Sequence, residues 1–213
     1  MAIVINELKH TNSSLVPFRY AKGHFATNHS HINYYIDLTM TKHRLSEARM
    51  AAQQLVRKFK STTIIDTILC LDGTEVIGAC MASDLTKAGF VSINAHQTIY
   101  VVTPEHTVGS QLLFRENTAP MIKGKHVLIL AASVTTGYTA QAGVEAVSYY
   151  GGITVGICSI FSLAEQCMGL PVVSLFNADD VPGYRSTPSG QCPLCKAGVK
   201  VDALVNTYGI SSF

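Results

Sequence analysis

The residues best suited to chemistry lie where an apolar run meets a cluster of threonines. Val127-Leu128-Ile129-Leu130-Ala131-Ala132-Ser133-Val134-Thr135-Thr136-Gly137-Tyr138-Thr139 reads as a hydrophobic strand entering a Thr/Gly turn that opens a helix. Backbone N–H groups at a helix N-terminus carry positive partial charge, and the hydroxyls of Thr135, Thr136 and Thr139 add donors, so the turn can cradle a phosphate monoester. The same residues also suit a plain strand-to-helix turn capped by threonine.

A second group is Cys192-Pro193-Leu194-Cys195, which has the spacing of half a zinc site. A closed structural site needs four ligands, and no second CxxC or HxxxH pair accompanies it, so Zn2+ at Cys192 and Cys195, completed by a second chain, stands beside an ordinary turn. His24, His29 and His31 can chelate a cation, line a base or phosphate pocket, or face solvent. Asp179-Asp180 reads as a strand-end carboxylate pair or a turn leading into Pro182-Gly183. Tyr34 and Tyr35 offer a stacking face for a base or, alternating on a strand, core plus surface.

These groups must be positioned by elements legible in the hydrophobic pattern. Leu45, Ala48, Ala52, Leu55, Val56 and Phe59 recur at three and four residue steps and predict a helix over 43–60. Ile64 to Leu71 reads as a buried strand, Asp72-Gly73-Thr74 as a tight turn, and Glu75 to Lys87 as a helix stopped by Ala88-Gly89. Val91 to Val102 reads as one or two strands. Further strands are expected at 127–132, 153–161 and 172–176, with a helix over 139–149. Ser162-Leu163-Ala164-Glu165 matches a capping box and predicts a helix over 162–168. This strand and helix alternation predicts an α/β fold with a twisted, mostly parallel sheet of about five strands, covered on both faces. Residues 103–124 hold Pro104, Gly109, Pro120 and Gly124 with little periodicity, the pattern of a lid loop.

The chain has 213 residues, of which 14% are charged against roughly 25% in an average globular protein, while 47% are hydrophobic. Much of it must be buried, which excludes disorder and disulfide-framework classes. Sixteen basic against 14 acidic residues give a net charge of +2, no electrostatic footprint for nucleic acid or an acidic membrane. Two long stretches between Lys125 and Asp179 hold few charges, but Ser133–Gly137 and Tyr149–Gly152 break them into pieces of strand length, so no membrane span is expected. The amino terminus lacks the pattern of a signal peptide, and four of the six cysteines lie in apolar runs, so reduced thiols and a cytoplasmic location are expected.

Beyond these physical readings, the strand followed by Thr-Thr-Gly-x-Thr resembles the 5-phosphoribosyl-pyrophosphate (PRPP) motif of type I phosphoribosyltransferases. The resemblance covers about residues 20–175 and runs towards the orotate enzymes. Gly23-His24-Phe25 through Asn33-Tyr34-Tyr35-Ile36-Asp37 is similar to their amino-terminal stretch. Asp72-Gly73-Thr74-Glu75 stands at the pyrophosphate loop, and Gly124-Lys125-His126-Val127 matches the lead into the PRPP strand.

The resemblance implies one domain over 1–213, with a small hood subdomain from about 1–35 and 177–213. It implies phosphate binding by Ser133, Thr135, Thr136, Gly137, Tyr138 and Thr139, and a base pocket at Phe25, Asn28, His29 and Tyr35. It also implies a lid bearing Glu105, His106 and Arg115, a magnesium cofactor (Mg2+), and a homodimer. The activity implied is transfer of phosphoribose between PRPP and a nucleobase.

Three positions depart from that family's pattern. Ala131 and Ala132 replace two acidic residues that hold ribose hydroxyls, and methyl groups accept no hydrogen bond. Asn28 replaces a lysine that meets substrate anions. The lid reads Thr103-Pro104-Glu105-His106-Thr107-Val108-Gly109 where basic residues are usual. The alternative reading is therefore a regulatory protein of the same fold that binds a nucleoside monophosphate or sugar phosphate without catalysis.

Overall fold

A computed structural model describes residues 3–59, 61–87, 92–95, 98–107 and 111–213. Its centre is a six-stranded sheet. Five strands run parallel, in the order Leu170–Phe176, Ile153–Ser162, His126–Val134, Thr67–Cys70 and Tyr100–Val102, and the short Gln166–Cys167 pairs antiparallel with the first of these. Parallel strands are joined by crossovers that cover the sheet faces, so both faces must be apolar.

The strands meet that demand by alternation. Ile68, Leu128, Leu130, Cys158 and Ile160 point to the face carrying the helices Leu45–Val56 and Glu75–Thr86. Leu69, Val127, Ile129, Ala131 and Ile157 point to the other, where the helix Tyr138–Tyr149 packs. Each valine, leucine or isoleucine among them, taken from water, contributes roughly 1.5–3 kcal/mol.

A second sheet, the hood, is built from both ends of the chain. Its order is Ser186–Thr187, His31–Ile36, Phe18–Ala26, Ala203–Asn206 and Gly209–Ser212, with Asn6–Leu8 also paired to Phe18–Ala26. A small core of Ala21, Phe25, Ile32, Tyr35, Ala203 and Val205 holds it together. Phe18, fully buried, joins the hood to the main core through Phe176, with ring centroids 4.6 Å apart. Arg19 adds a two-pronged ion pair to the buried Glu47, at 2.7 and 2.9 Å.

Several expected elements take a different form. The helix expected over 43–60 is divided at Arg44, whose φ of −85° and ψ of 112° are extended. A one-turn helix Thr39–His43 precedes the break and Leu45–Val56 follows it, with Lys60 outside the described residues. The break frees Lys42 from the sheet-packing stripe of Ala48, Ala51, Ala52 and Leu55.

The helix expected over 162–168 is absent. The Ser162 hydroxyl donates to the Val134 and Ala164 carbonyls, and the Leu163 amide is also bonded to Val134. Met168 and Gly169 have φ of 53° and 76°, a two-residue turn that no right-handed helix accommodates. The segment is therefore a hairpin from Gln166–Cys167 into Leu170–Phe176.

The described part of 91–102 holds one strand, Tyr100–Val102. The Ala88-Gly89 stop and residues 91, 96 and 97 lie outside the described residues, as do 108–110 of the 103–124 loop. That loop contains the short antiparallel pair Glu105–His106 and Leu112–Leu113, and a 3-10 turn at Ala119–Met121. Among the described residues, no helix is long and apolar enough to cross a membrane.

Candidate functional site

A cleft of about 290 Å³ opens between the hood and the carboxyl ends of the Thr67–Cys70 and His126–Val134 strands. In open α/β sheets ligands bind at this edge, because the strand ends and helix N-termini converge there.

The floor is the turn after His126–Val134. Ser133, Thr135, Thr136, Gly137, Tyr138 and Thr139 all line the cleft. Gly137 has φ of 84°, a conformation open to glycine at little cost, and caps the Tyr138–Tyr149 helix without any side-chain hydrogen bond. The first amides of that helix thus have no side-chain acceptor. Among the described residues, the hydroxyls of Ser133, Thr135, Thr136 and Thr139 make no hydrogen bond within the protein. The arrangement is a set of donors that an anion can satisfy.

The second wall is the Asp72-Gly73 turn. Both residues are left-handed, with φ of 57° and 77°. Burial raises the pKa of the Asp72 carboxyl, against lowering by Lys42, His106 and the Ala132 amide. Thr74 is buried, its hydroxyl donating to the Leu71 and Leu130 carbonyls, so it anchors the turn to two strands. Glu75 opens the next helix and accepts from the Thr103 hydroxyl. Of this turn only Asp72 reaches the cleft wall.

Lys42 is a cleft residue that the sequence pattern did not single out. It is 6% exposed, and its Nζ donates to the Asp72 carbonyl at 3.0 Å and the Thr207 carbonyl at 2.7 Å. Burial lowers its pKa, while Asp72, Glu75 and Asp37 raise it. An ammonium has three donors, so one remains for a ligand. The only signal in the sequence was a lysine ahead of the helical stripe; its partners lie far away in the chain.

The hood supplies the third wall through Thr27, Asn28, His29, Ser30 and Tyr35. His29 faces Tyr138 across the mouth, with ring centroids 5.6 Å apart. Burial, then Asp37, pushes the Tyr35 phenol up to about 12. Phe25 does not reach the cleft; it is buried against Tyr35 in the hood core. Tyr34 instead stacks on Tyr184, centroids 6.4 Å apart.

Of the two alanines, Ala132 lines the cleft whereas Ala131 is fully buried beneath the Tyr138–Tyr149 helix. None of the described residues of the 103–124 loop lines the cleft. Arg115 is taken by Glu105 in a two-pronged ion pair, 2.7 Å on each side. That pairing holds the Glu105 carboxyl below its ordinary range. Asp180 and Asn177 form a reciprocal cap of a 3-10 turn, and neither aspartate of the 179–180 pair lines the cleft.

A separate cluster lies at the far side of the hood. His24, His31, Cys192 and Cys195 each bring one ligand atom to within 4.8 Å of all the others. The sequence offered Cys192 and Cys195 as half a site. The fold brings to them a pair of histidines on adjacent hood strands, whose approach depends on strand pairing and leaves no local spacing signal.

No known protein-family profile matches the chain. An adenine phosphoribosyltransferase of Jannaschia sp. (strain CCS1) is 27% identical over 135 residues, which are 58% of this chain and 74% of that protein. The orotate phosphoribosyltransferase of Mycobacterium tuberculosis H37Rv, solved with Fe(III) dicitrate, superposes with a TM-score of 0.51 at 18% identity, covering 71% of this chain and 85% of that one. The same enzyme solved with PRPP gives a TM-score of 0.51 at 18% identity, covering 69% and 82%. The chain thus has the fold of the type I phosphoribosyltransferases and is similar to that family in sequence.

Proposed function

We propose that the chain is a phosphoribosyltransferase-type enzyme that moves phosphoribose between PRPP and a nucleobase. The observation that carries this reading is the meeting, in one cleft, of the hydroxyl and amide donors at 133–139 with Lys42 and Asp72. The first group suits a 5-phosphate. The second offers a diphosphate the Lys42 ammonium, held at the Asp72 end of a left-handed turn.

Transfer at the ribose carbon develops positive charge as the diphosphate leaves, so the protein's work is to position both ends and stabilise the departing anion. Asn28, His29 and Tyr35 form the wall available to the base. The hood from 1–35 and 177–213 would cover the bound ligand, and the 103–124 loop, with Glu105, His106 and Arg115, would act as the lid.

Asp72 also fits a magnesium ion. Among the described residues it is the only carboxylate on the cleft wall, and Mg2+ is commonly held by one or two carboxylates together with substrate phosphates. Bound there, the ion would offset the charge of the diphosphate. The similarity to both adenine and orotate enzymes leaves the nucleobase as the quantity to measure. A homodimer and a cytoplasmic location belong to the same proposal.

The test is pyrophosphate release from PRPP with magnesium, across a panel of purine and pyrimidine bases that includes orotate and adenine. Release with one base, abolished in a Thr135→Ala, Thr136→Ala variant, is the expected result. Ala132 favours a second reading, because the cleft lacks the carboxylate that would hold a ribose hydroxyl at that position. Silence across the panel from protein that binds a nucleoside monophosphate would establish the second reading, a binding protein without transfer.

A further inference from the structure

We infer that His24, His31, Cys192 and Cys195 form a structural zinc site that ties the carboxyl-terminal part of the hood to its amino-terminal strands. Zinc in structural sites takes four nitrogen and sulfur ligands in a closed tetrahedron, and two cysteines with two histidines are one of its standard sets.

The distances suit that ion. Ligand atoms roughly 2.0–2.3 Å from a tetrahedral zinc lie roughly 3.3–3.8 Å from one another. Here Cys192 Sγ and Cys195 Sγ lie 3.5 and 3.6 Å from His24 Nε2, and Cys195 Sγ lies 3.2 Å from His31 Nδ1. That last distance, and the 2.9 Å between the two histidine nitrogens, lie slightly inside that span.

The surroundings orient the ligands as a metal requires. His24 Nδ1 lies 2.9 Å from the Val199 carbonyl and 3.2 Å from the Lys200 carbonyl, which can only accept. The proton is therefore on Nδ1, and the Nε2 lone pair faces the other three ligands. Metal-bound histidines carry this type of backbone partner.

Beyond Tyr184, which packs on Tyr34 and Phe161, the segment has few side-chain anchors of its own. From Pro182 through Asp202, Cys192 is the only buried residue. Regular structure there is limited to the two-residue strand Ser186–Thr187, the 3-10 turn Ser189–Gln191 and the four-residue helix Pro193–Lys196. A metal crosslink would add to these few contacts in offsetting the entropy of ordering such a stretch. The ion would also act on the cleft. His24 and His31 stand at the two ends of the turn whose Thr27, Asn28, His29 and Ser30 form the hood wall, so one metal would fix both ends of that turn.

Protein produced in zinc-supplemented medium should contain one zinc per chain by elemental analysis. After chelation, Co2+ should restore a tetrahedral spectrum with thiolate-to-cobalt charge transfer and strong visible ligand-field bands. Cys192 and Cys195 should react with a thiol reagent about tenfold more slowly in the zinc-loaded protein than after chelation. Cys195→Ser and His31→Asn, both at positions that are not buried, should keep the far-ultraviolet circular dichroism of the fold and lose the metal.

Wild-type protein that takes up neither zinc nor tetrahedral cobalt would overturn the site. So would zinc that stays bound in both variants. These readouts need no catalysis, so they stand or fall apart from the proposed transferase activity.

Discussion

Lys42 and Asp72 meet at the cleft, the ammonium of one 3.0 Å from the main-chain carbonyl of the other, although a helix and a strand separate them in sequence. This contact sets a buried positive charge beside a left-handed turn that no other lysine or arginine among the cleft-lining residues approaches. Lys42→Met should therefore weaken PRPP or pyrophosphate binding by at least about tenfold, equivalent to roughly 1.5–3 kcal/mol for a charged hydrogen bond. A nucleoside monophosphate, which lacks the diphosphate, should lose far less. Calorimetric titration of both ligands against both proteins separates the effects, and equal losses would remove Lys42 from the diphosphate subsite.

Asp72 gives a pH signature. Burial raises its folded-state pKa above the ordinary 3.8, so its contribution to stability is complete below 3.8 and is lost as pH rises through the folded value. Asp72→Asn removes that loss, and asparagine tolerates the φ of 57°. Urea denaturation should show the variant gaining on the wild type as pH rises from below 3.8 to neutrality. A gap that shrinks over that range would mean that Lys42 and the Ala132 amide outweigh burial.

The two alanines should behave differently when made acidic. Ala132→Asp puts a carboxylate on the cleft wall and should raise PRPP affinity severalfold in the presence of magnesium. Ala131→Asp buries a charge in an apolar cluster and should destabilise the fold by about 3 kcal/mol or more. Paired melting and binding curves test both, and an inert Ala132→Asp protein would indicate a cleft shaped for another ligand.

The hood is clamped to the core by Arg19 and Glu47. Glu47→Ala leaves a nearly buried guanidinium with only the exposed Glu7, at 2.6 Å, and should cost about 3 kcal/mol. A chemical denaturation midpoint close to the wild type would show that the Phe18 contacts suffice.

Met168 occupies the first position of a two-residue turn with φ of 53°, before Gly169. Asparagine followed by glycine is the preferred pair for that geometry, so Met168→Asn should stabilise the protein by about 1 kcal/mol. A lower urea midpoint in the variant would show that the half-exposed methionine packs better than its backbone suggests.

The parts legible in the sequence were those whose physics is local. Apolar runs between Val127 and Ala132, and between Ile153 and Phe161, read as strands because both faces of a parallel sheet are covered. The turn at Thr135–Thr139 was legible because a strand, a glycine and a helix start follow one another directly. The Ser162–Glu165 pattern misled for the same reason. It satisfies a local rule for a helix start, but the Val134 carbonyl takes the serine hydroxyl and the Met168–Gly169 turn forces a hairpin.

By itself the sequence determined the alternation of strands and helices, the donor-rich turn, and the absence of carboxylates at 131 and 132, since each is a property of neighbouring residues. Only the tertiary structure decided that Lys42 serves the cleft, that Ala131 and Ala132 face opposite sides of the sheet, and that His24 and His31 complete the Cys192–Cys195 pair. Those relations join segments whose closeness arises from sheet pairing and burial, and no spacing along the chain encodes them.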